Sequence, residues 1–410
     1  MGRLIPLCLK CKGRGWCGLK SCPILQRMKY WKETVEITRE NFMGTTPPAL
    51  FVGRNFYPKV FVGMLAPPEV DRDAEILDFP EKWYEMNAGI DDVLKFRGRL
   101  VYSRWRENVA KPSTRFTETM QEVVMSKKPV DVELWLKHRP RFNVRFDVWA
   151  TPIGNPASLK KIKVVSNPKV ERRVDYVVSD DDMKAYDAVV DLYSHGIPVS
   201  RIQKLFSSGV LGSKIERKLV PLRWAITGVH DIIGNELVKK IKTKQSINEV
   251  LLFENYYVGN HYLILLIPGP YQYELIEIKY PKSVWNIYGK EPYVFSDYEP
   301  HWGKHEYADN TGGAFYAGRL GVLEYLERIN KQATVLIIRE VTEEYTVPVG
   351  IWQMQEAVRD AFNKPSMKFD DVSVALEEIK KKISVEWERV MEKSKLLDIL
   401  KTQKRIFEFF

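Results

Sequence analysis

All four cysteines of this 410-residue chain lie within its first 22 residues. They follow the pattern Cys8-x2-Cys11-x5-Cys17-x4-Cys22, and glycines at three of the intervening positions let the backbone turn tightly. Four thiolates so close together suit tetrahedral zinc, because a closed Cys₄ site replaces the core that so short a segment cannot build. The pattern predicts a structural zinc-finger module over residues 1–40. An iron–sulfur cluster is the alternative metal centre, and free or disulfide-bonded cysteines are the alternative without metal, bridges being disfavoured in a reducing cytosol.

The remaining composition is that of a globular protein with an anionic partner. The hydrophobic fraction is 45%, and 63 Lys and Arg against 53 Asp and Glu give a formal net charge of +10. This balance favours nucleic acid as the partner. No stretch approaches the roughly 18 consecutive apolar residues that would span a bilayer, so a cytoplasmic location without membrane contact is expected.

Strand-like and helix-like patterns are mixed between residues 41 and 370, which predicts an α+β fold with a mixed α/β core. This core either stays whole or divides near residues 175–215. The local predictions are paired strands at 49–53 and 60–63, a strand through Val144, Phe146 and Val148, helices at 83–100 and from His230, and a three-stranded meander at 249–279.

The chain ends with an amphipathic segment. Apolar residues recur at spacings of three and four between Val372 and Val390, while Glu and Lys occupy most other positions. One apolar stripe at helical spacing predicts a single C-terminal helix over residues 371–402.

The last eight residues match the peptide that docks on the sliding clamp PCNA. Gln403 is followed by an aliphatic residue three positions later and by two aromatic residues six and seven positions later. One helical turn would place Ile406, Phe409 and Phe410 on the same side, where they form a plug for an apolar pocket, while Gln403 enters a polar slot. The alternative is that residues 403–410 end a helix that packs on its own core.

Basic and aromatic residues in the middle of the chain are candidates for DNA contacts. These candidates are Lys160, Lys161, Lys163, Arg172, Arg173, Arg223, Trp224 and Tyr271. The cations would neutralise phosphates and the aromatic rings would stack on bases.

Several segments together carry a resemblance to a known family. They are the N-terminal Cys₄ pattern, Phe51 to Val60 (FVGRNFYPKV), Val220 to Trp224 (VPLRW), Pro268 to Glu274 (PGPYQYE) and the terminal clamp peptide. In these features the chain resembles the archaeal Nre family of DNA repair proteins, over essentially its whole length. The resemblance implies a role in DNA repair together with PCNA binding.

None of the common catalytic signatures occurs in the sequence, neither a Walker A loop, a dinucleotide fingerprint, a nucleophile elbow nor a His-Glu-x-x-His motif. A DNA glycosylase with lyase activity, acting on damaged bases such as oxidised guanine, needs only a lysine, an acid and aromatic walls. Lys218 is the candidate for the Schiff-base amine, and Asp231 and Glu340 are the candidate acids. Trp224 or Tyr271 would hold the flipped base.

Structural roles compete with each of these assignments. Lys218 also fits a solvated surface charge, Asp231 an acid in the first turn of a helix, and Glu340 an ordinary salt bridge. Trp224 or Tyr271 also fits a ring in the core. The alternative to an enzyme is a non-catalytic adaptor that binds DNA and links PCNA to other repair enzymes.

Overall fold

The computed structural model describes residues 7–19, 22–142 and 153–402, and it divides the chain into two compact units. One unit comprises Met1–Ile233 with Val347–Val349, and the other comprises Gly234–Thr346 with Gly350–Phe410. The division falls after Ile233, later than the 175–215 window considered from the sequence. Each unit contains a six-stranded mixed sheet with helices, so the expected α+β class is confirmed.

The elements of the first unit follow one another closely along the chain. In order they are α1 (Leu7–Cys11), α2 (Pro23–Ile37), β1 (Asn41–Thr46), β2 (Ala49–Val52), β3 (Lys59–Ala66), a 3₁₀ turn (Ala74–Asp78), α3 (Pro80–Glu85), α4 (Ile90–Gly98), β4 (Val101–Asn108), α5 (Arg115–Val124), β5 (Val130–Leu136), β6 (Asn155–Val164), α6 (Arg172–Ser179), α7 (Ala185–Ser194), α8 (Val199–Ser207), a second 3₁₀ turn (Lys214–Glu216) and α9 (Leu222–Ile241), whose last eight residues belong to the second unit.

The first sheet has the strand order β1-β5-β6-β4-β3-β2, in which β4 and β6 run parallel and the other neighbours run antiparallel. The predicted pairing of 49–53 with 60–63 is confirmed as the antiparallel pair β2 and β3. Successive strand residues point to opposite faces. In β3, Val60 and Val62 are fully buried, while Phe61 between them is half-buried. In β4, Trp105 is buried and Arg106 is exposed, so one face of the sheet is core and the other is open near these residues.

Helix α2, the last part of the predicted N-terminal module, is packed into the first unit. A side chain at Gly98 of α4 would bring a Cβ within 2.4 Å of the Tyr30 Cβ, so glycine permits this close helix crossing. Thr34 Oγ1 donates to the Gly98 carbonyl at 2.7 Å. The Asn155 amide donates to the Trp31 carbonyl at 3.0 Å. Residues 23–37 are thus tied to the core that follows them.

Two predicted helices begin or end differently in the structure. The helix predicted over 83–100 is wrong as a single element, because Asn87 has a φ of 53° between α3 and α4 and a left-handed residue interrupts a helix. The helix predicted from His230 begins eight residues earlier, at Leu222, directly after Pro221, a residue suited to a helix start. The strand predicted through Val144, Phe146 and Val148 lies outside the described residues.

The second unit is built around the other sheet. Its elements are β7 (Val250–Tyr257), β8 (Asn260–Ile267), β9 (Gln272–Lys279), β10 (Tyr293–Glu299), α10 (Gly313–Arg328), β11 (Thr334–Val341), α11 (Trp352–Ala361), β12 (Met367–Phe369), α12 (Val372–Lys382), α13 (Trp387–Met391) and α14 (Lys395–Thr402).

The meander predicted over 249–279 is only half right. β7 and β8 form a hairpin, but the sheet order is β10-β9-β11-β8-β7-β12, with β11 inserted between β8 and β9 and parallel to β9. The connection Pro268-Gly269-Pro270 lacks two backbone N–H donors, which disfavours a tight hairpin. The Thr334 hydroxyl at the start of β11 instead donates to the Pro270 carbonyl at 2.7 Å.

The single C-terminal helix predicted over 371–402 is wrong, because the segment forms α12, α13 and α14. Ile383 is extended, with a ψ of 150°, and the Ser384 N–H donates to Glu340 Oε1 at 3.2 Å instead of continuing the helix. The apolar stripe nevertheless packs as expected. Side chains such as Ile379 and Val390 join Leu336 and other residues of the second sheet in one core.

A buried ion pair fixes the opposite face of this sheet. Arg339 is 3% exposed, and its Nη1 donates to Glu277 Oε1 at 2.5 Å while Nε and Nη2 donate to Asn260 Oδ1 at 3.0 and 2.8 Å. Burial by itself would raise the pKa of Glu277, but the charges of Lys279 and Arg339 outweigh burial, so this pKa lies below its usual value. The carboxylate is therefore charged and needs its partner.

We expect Arg339→Met to lower the free energy of unfolding by about 3–5 kcal/mol, because it leaves the Glu277 carboxylate buried with a main partner removed. Lys368→Met is the matched control, since it breaks a solvent-exposed pair with Glu249 and should cost less than about 1 kcal/mol. Urea denaturation followed by circular dichroism measures both. Equal small losses would contradict a structural role for Arg339.

Candidate nucleic-acid interface

The lysines of β6 lie on the open face of the first sheet. Lys161 stands opposite Trp135 of β5, and Lys163 stands opposite Glu133, whereas Leu159 is buried in the core. A register shift at Trp135 and Leu136 interrupts the alternation there, and Lys160 is exposed as well. The Lys161 Nζ lies 4.5 Å from the centroid of the Trp135 ring. Strand register thus places an aromatic ring and cations side by side.

The two arginines at the start of α6 differ in their surroundings. Arg172 is exposed. Arg173 Nε donates to Asp191 Oδ1 at 2.6 Å, and a second nitrogen donates to the other oxygen of the same carboxylate. The hydrogen bonds that Arg173 donates to Asp191 raise the pKa of Arg173. Because Asp191 already neutralises Arg173, Arg172 is the better candidate of the two for a phosphate contact.

Of the two aromatic candidates, one is accessible and the other is not. Trp224, in the first turn of α9 beside the exposed Arg223, is 46% exposed. Tyr271 is fully buried in the second unit, where its hydroxyl donates to Glu299 Oε2 at 3.4 Å. Burial keeps the pKa of Tyr271 well above its usual value. The sequence-based role of Tyr271 as a stacking platform is therefore wrong, because no base can reach its ring.

The structure adds a cluster that sequence reasoning missed. The Tyr57 ring lies 5.4 Å from the Trp224 ring. Nearby, Arg106 of β4 lies over two rings, 4.8 Å from the Phe56 centroid and 4.4 Å from the Phe61 centroid. Arg104, two residues earlier on the same face of β4, lies 4.0 Å from the Phe61 centroid. We name these six residues, Phe56, Tyr57, Phe61, Arg104, Arg106 and Trp224, the aromatic–arginine cluster. In the sequence, the alternation of Arg104, Trp105 and Arg106 indicates a strand with both arginines on one face. Only the strand register shows that this is the open face of the sheet.

The catalytic candidates lie in different local settings. Lys218 is an exposed residue in the segment before α9, and Asp231 is a half-buried residue about two and a half turns into that helix. Glu340 belongs to the second unit.

Glu340 takes part in a buried polar network. His261 Nδ1 lies 2.6 Å from Glu340 Oε2, and His261 Nε2 lies 2.9 Å from Glu254 Oε1. Burial would lower the pKa of His261, but the hydrogen bonds with the two carboxylates outweigh burial and raise it. The Tyr280 hydroxyl and the Ser384 N–H also donate to Glu340. This network joins β8 and β11 to the connection between α12 and α13, and the contact with His261 is the salt-bridge role that is the alternative for Glu340.

The cysteine segment has the predicted tight turns. Gly13, Gly15 and Gly18 have φ values of 83°, 79° and 73°, which glycine adopts without strain. The Trp16 N–H donates to Cys11 Sγ at 3.4 Å and lowers the pKa of this thiol against the effect of burial. The lowered pKa favours the thiolate form of Cys11, which is the form that zinc binds, and four sulfur donors are a set that structural zinc sites use. Within residues 7–19, 22–142 and 153–402, however, no three His, Cys, Asp or Glu side chains are arranged to hold an ion.

The clamp peptide lies outside the described residues, but its attachment point does not. Glu274 of β9 accepts the backbone N–H groups of Lys395 and Leu396 at 2.9 and 3.1 Å, at the first turn of α14. It also accepts the Ser394 hydroxyl. A buried carboxylate thus anchors the helix that ends at Thr402, directly before residue 403.

Among the described helices, none is both long and apolar enough to cross a bilayer.

Comparison with known proteins gives consistent matches along the chain. The family described as "Archaeal Nre, N-terminal" matches residues 16–286, and "Archaeal Nre, C-terminal" matches residues 299–409. DNA repair protein NreA of Archaeoglobus fulgidus is 39% identical over 374 residues, which cover 90% of this chain and 92% of that protein. DNA repair protein NreB of the same organism is 35% identical, with 95% and 96% covered.

A relative from a second organism shows the same extent of similarity. DNA repair protein NreA of Haloferax volcanii is 35% identical over 401 residues, which cover 95% of this chain and 94% of the relative. No solved structure matches the chain. The two family matches and the identity with these relatives show that this chain belongs to the archaeal Nre family.

Proposed function

We propose that this protein is a DNA repair factor that binds DNA through the open face of its first sheet. The observation that carries the proposal is the placement of Lys161 and Lys163 on one exposed face beside Trp135. Cations and aromatic rings on one surface suit a ligand with phosphates and bases. Arg172 and Arg223 are further exposed cations of the same unit. The relatives' names as DNA repair proteins support the same class of function.

Zinc is the metal we propose for Cys8, Cys11, Cys17 and Cys22. The support is the hydrogen bond from Trp16 to Cys11 and the set of four sulfur donors, which a structural zinc ion prefers. The ion would hold the segment before α2 in one conformation. Metal analysis of the purified protein should find about one zinc per chain, and Cys11→Ser should lose it. Iron in place of zinc would support a cluster, and the absence of both would contradict a metal site.

Residues 403–410 are proposed as the peptide that recruits the protein to the PCNA sliding clamp. The anchoring of α14 by Glu274 fixes the point from which this peptide begins. Two aromatic residues at the end of a chain also suit a pocket on a partner better than open solvent.

Lys161→Ala with Lys163→Ala should weaken duplex binding and flatten its salt dependence. Each lysine that contacts a phosphate contributes about 0.9 to the slope of log affinity against log salt, so the slope should fall by up to about 1.8. Fluorescence anisotropy at several salt concentrations measures this slope. Lys368→Ala with Lys381→Ala removes the same charge from exposed lysines of the second unit and serves as the control. Equal slopes for both double variants would refute the proposed face.

Phe409→Ala with Phe410→Ala should abolish co-elution with PCNA, because the aromatic plug is removed, while the affinity for DNA stays unchanged. Lys404→Ala with Glu408→Ala changes the variable positions of the same peptide and should retain co-elution. Size-exclusion chromatography of the mixed proteins provides the measurement. If the phenylalanine variant still co-elutes, or loses thermal stability instead, the peptide packs within this chain.

A glycosylase with lyase activity is the second candidate function. It is favoured by the exposure of Lys218 and by its position near the aromatic–arginine cluster. The next residue, Leu219, donates its N–H to the Val109 carbonyl beside that cluster. In this mechanism the lysine amine attacks the sugar carbon as the damaged base leaves, and an acid handles the protons. Asp231 is the acid of the same unit, whereas Glu340 is already hydrogen-bonded in the other unit.

Borohydride trapping separates the enzyme from a non-catalytic adaptor. A lyase should yield a covalent protein–DNA adduct on a duplex carrying a lesion such as oxidised guanine, and Lys218→Ala should remove this adduct. Lys214→Ala, at a nearby exposed lysine, should retain it. Duplexes with other single lesions extend the test. No adduct with any lesion, together with intact DNA and PCNA binding, would favour the adaptor.

A further inference from the structure

We propose that the aromatic–arginine cluster binds unpaired bases, so that the protein prefers single-stranded or locally opened DNA to intact duplex. This inference rests on the proposed DNA-binding function and specifies its ligand. The starting observation is the exposure of three rings in one region of the first unit. Phe56 is 72% exposed, Tyr57 is 54% exposed and Trp224 is 46% exposed. Large aromatic rings left open to solvent side by side usually mark a binding surface.

Hydrogen bonds to backbone carbonyl groups hold together the segments that carry these rings. The Val109 N–H donates to the Pro58 carbonyl at 3.0 Å, and the Leu219 N–H donates to the Val109 carbonyl at 3.0 Å. Arg106 Nη1 donates to the Lys59 carbonyl at 2.8 Å. Three segments distant in sequence therefore form one framework. Backbone segments held in place in this way lose little further conformational entropy when a ligand stacks on the rings that they carry.

Phe56 is presented at an energetic cost. Its φ of 68° lies in the left-handed region, which a bulky residue rarely adopts. Such conformations persist where the surrounding structure holds them, and they concentrate at functional sites. The conformation leaves the ring largely in solvent, with the Arg106 guanidinium 4.8 Å from its centroid. Because the unfavourable backbone conformation does not bury the Phe56 ring, we attribute it to the binding of a ligand.

The charge of these segments selects the ligand. Residues 53–59, 104–106 and 217–224 together contain seven Lys or Arg residues and no Asp or Glu. A polyanion with flat apolar faces complements this surface, and a nucleic-acid strand has both properties. Bases in a duplex are stacked on their neighbours and offer only their edges in the grooves. The rings can stack only on bases that are already unpaired or have been splayed out.

The test uses the full-length protein, an oligothymidylate of about 20 nucleotides and a duplex of similar length. Phe56→Leu with Trp224→Leu removes two rings but keeps apolar side chains. We expect it to weaken single-strand binding by about tenfold or more, while duplex binding changes by less than about threefold. The single variant Trp224→Phe should retain most of the wild-type affinity for the single strand, because it keeps a ring at this position. Trp302→Leu, at an aromatic residue 79% exposed in the second unit, is the matched control.

A second readout reports stacking itself. A single 2-aminopurine in the oligonucleotide should lose fluorescence when it stacks on the wild-type protein and should not lose it with the double variant. Equal losses of single-strand and duplex binding, or none, would overturn the inference while leaving DNA binding by the lysine face intact. A wild-type protein that binds neither DNA would remove the proposed function as well. A change of oligomeric state in the double variant, without an effect on DNA, would make the cluster a contact between copies of this chain.

Discussion

The alternation of side chains along β3 and β4 is the constraint on which the DNA-binding proposals depend. Because neighbouring residues in a strand must point to opposite faces, burial of Val60 and Val62 turns Phe61 outward. The burial of Trp105 likewise turns Arg104 and Arg106 to the open face. The core and the proposed interface are therefore two sides of the same strands. A shift of one residue in register would bury the arginines and expose the core.

The second unit solves a different problem, which is to keep charged groups inside a sheet covered on both faces. On one face, Arg339 pairs with Glu277. On the other face, Glu274 accepts the first amides of α14, and Glu340 accepts the Ser384 N–H between α12 and α13. Each of the latter two carboxylates bonds to the C-terminal segment. Hydrogen bonds to buried carboxyl groups thereby specify where the last helices attach, in addition to the apolar contacts that drive their packing.

Sequence patterns predicted those features that depend on neighbouring residues. The paired strands β2 and β3, the hairpin of β7 and β8 and the apolar stripe of the C-terminal segment follow from local periodicity. Pairings between distant segments were out of reach. The insertion of β11 between β8 and β9 involves strands separated by tens of residues, and the break after α12 depends on Glu340, 44 positions from Ser384.

The candidate site shows the same limit. Lys160, Lys161 and Lys163 were identified because they are close in sequence, and the structure finds them exposed. The residue type of Tyr271 favours base stacking, but its complete burial prevents contact with a base. Phe56 and Arg106 could not be joined from the sequence alone, because 50 residues separate them and only the pairing of β3 with β4 brings their segments together.

If the protein bound the clamp and the DNA at the same time, neither contact alone would need a high affinity. A peptide bound to the clamp makes the second contact intramolecular, with an effective concentration that can reach the millimolar range for short linkers. In the proposed arrangement, the lysine face would need to hold phosphates with only modest strength. Exposed rings such as Phe56 and Trp224 can stack on any base, because every base has a π face. Such rings would respond to the opening of the duplex, whatever its sequence, and leave the identification of the lesion to other groups.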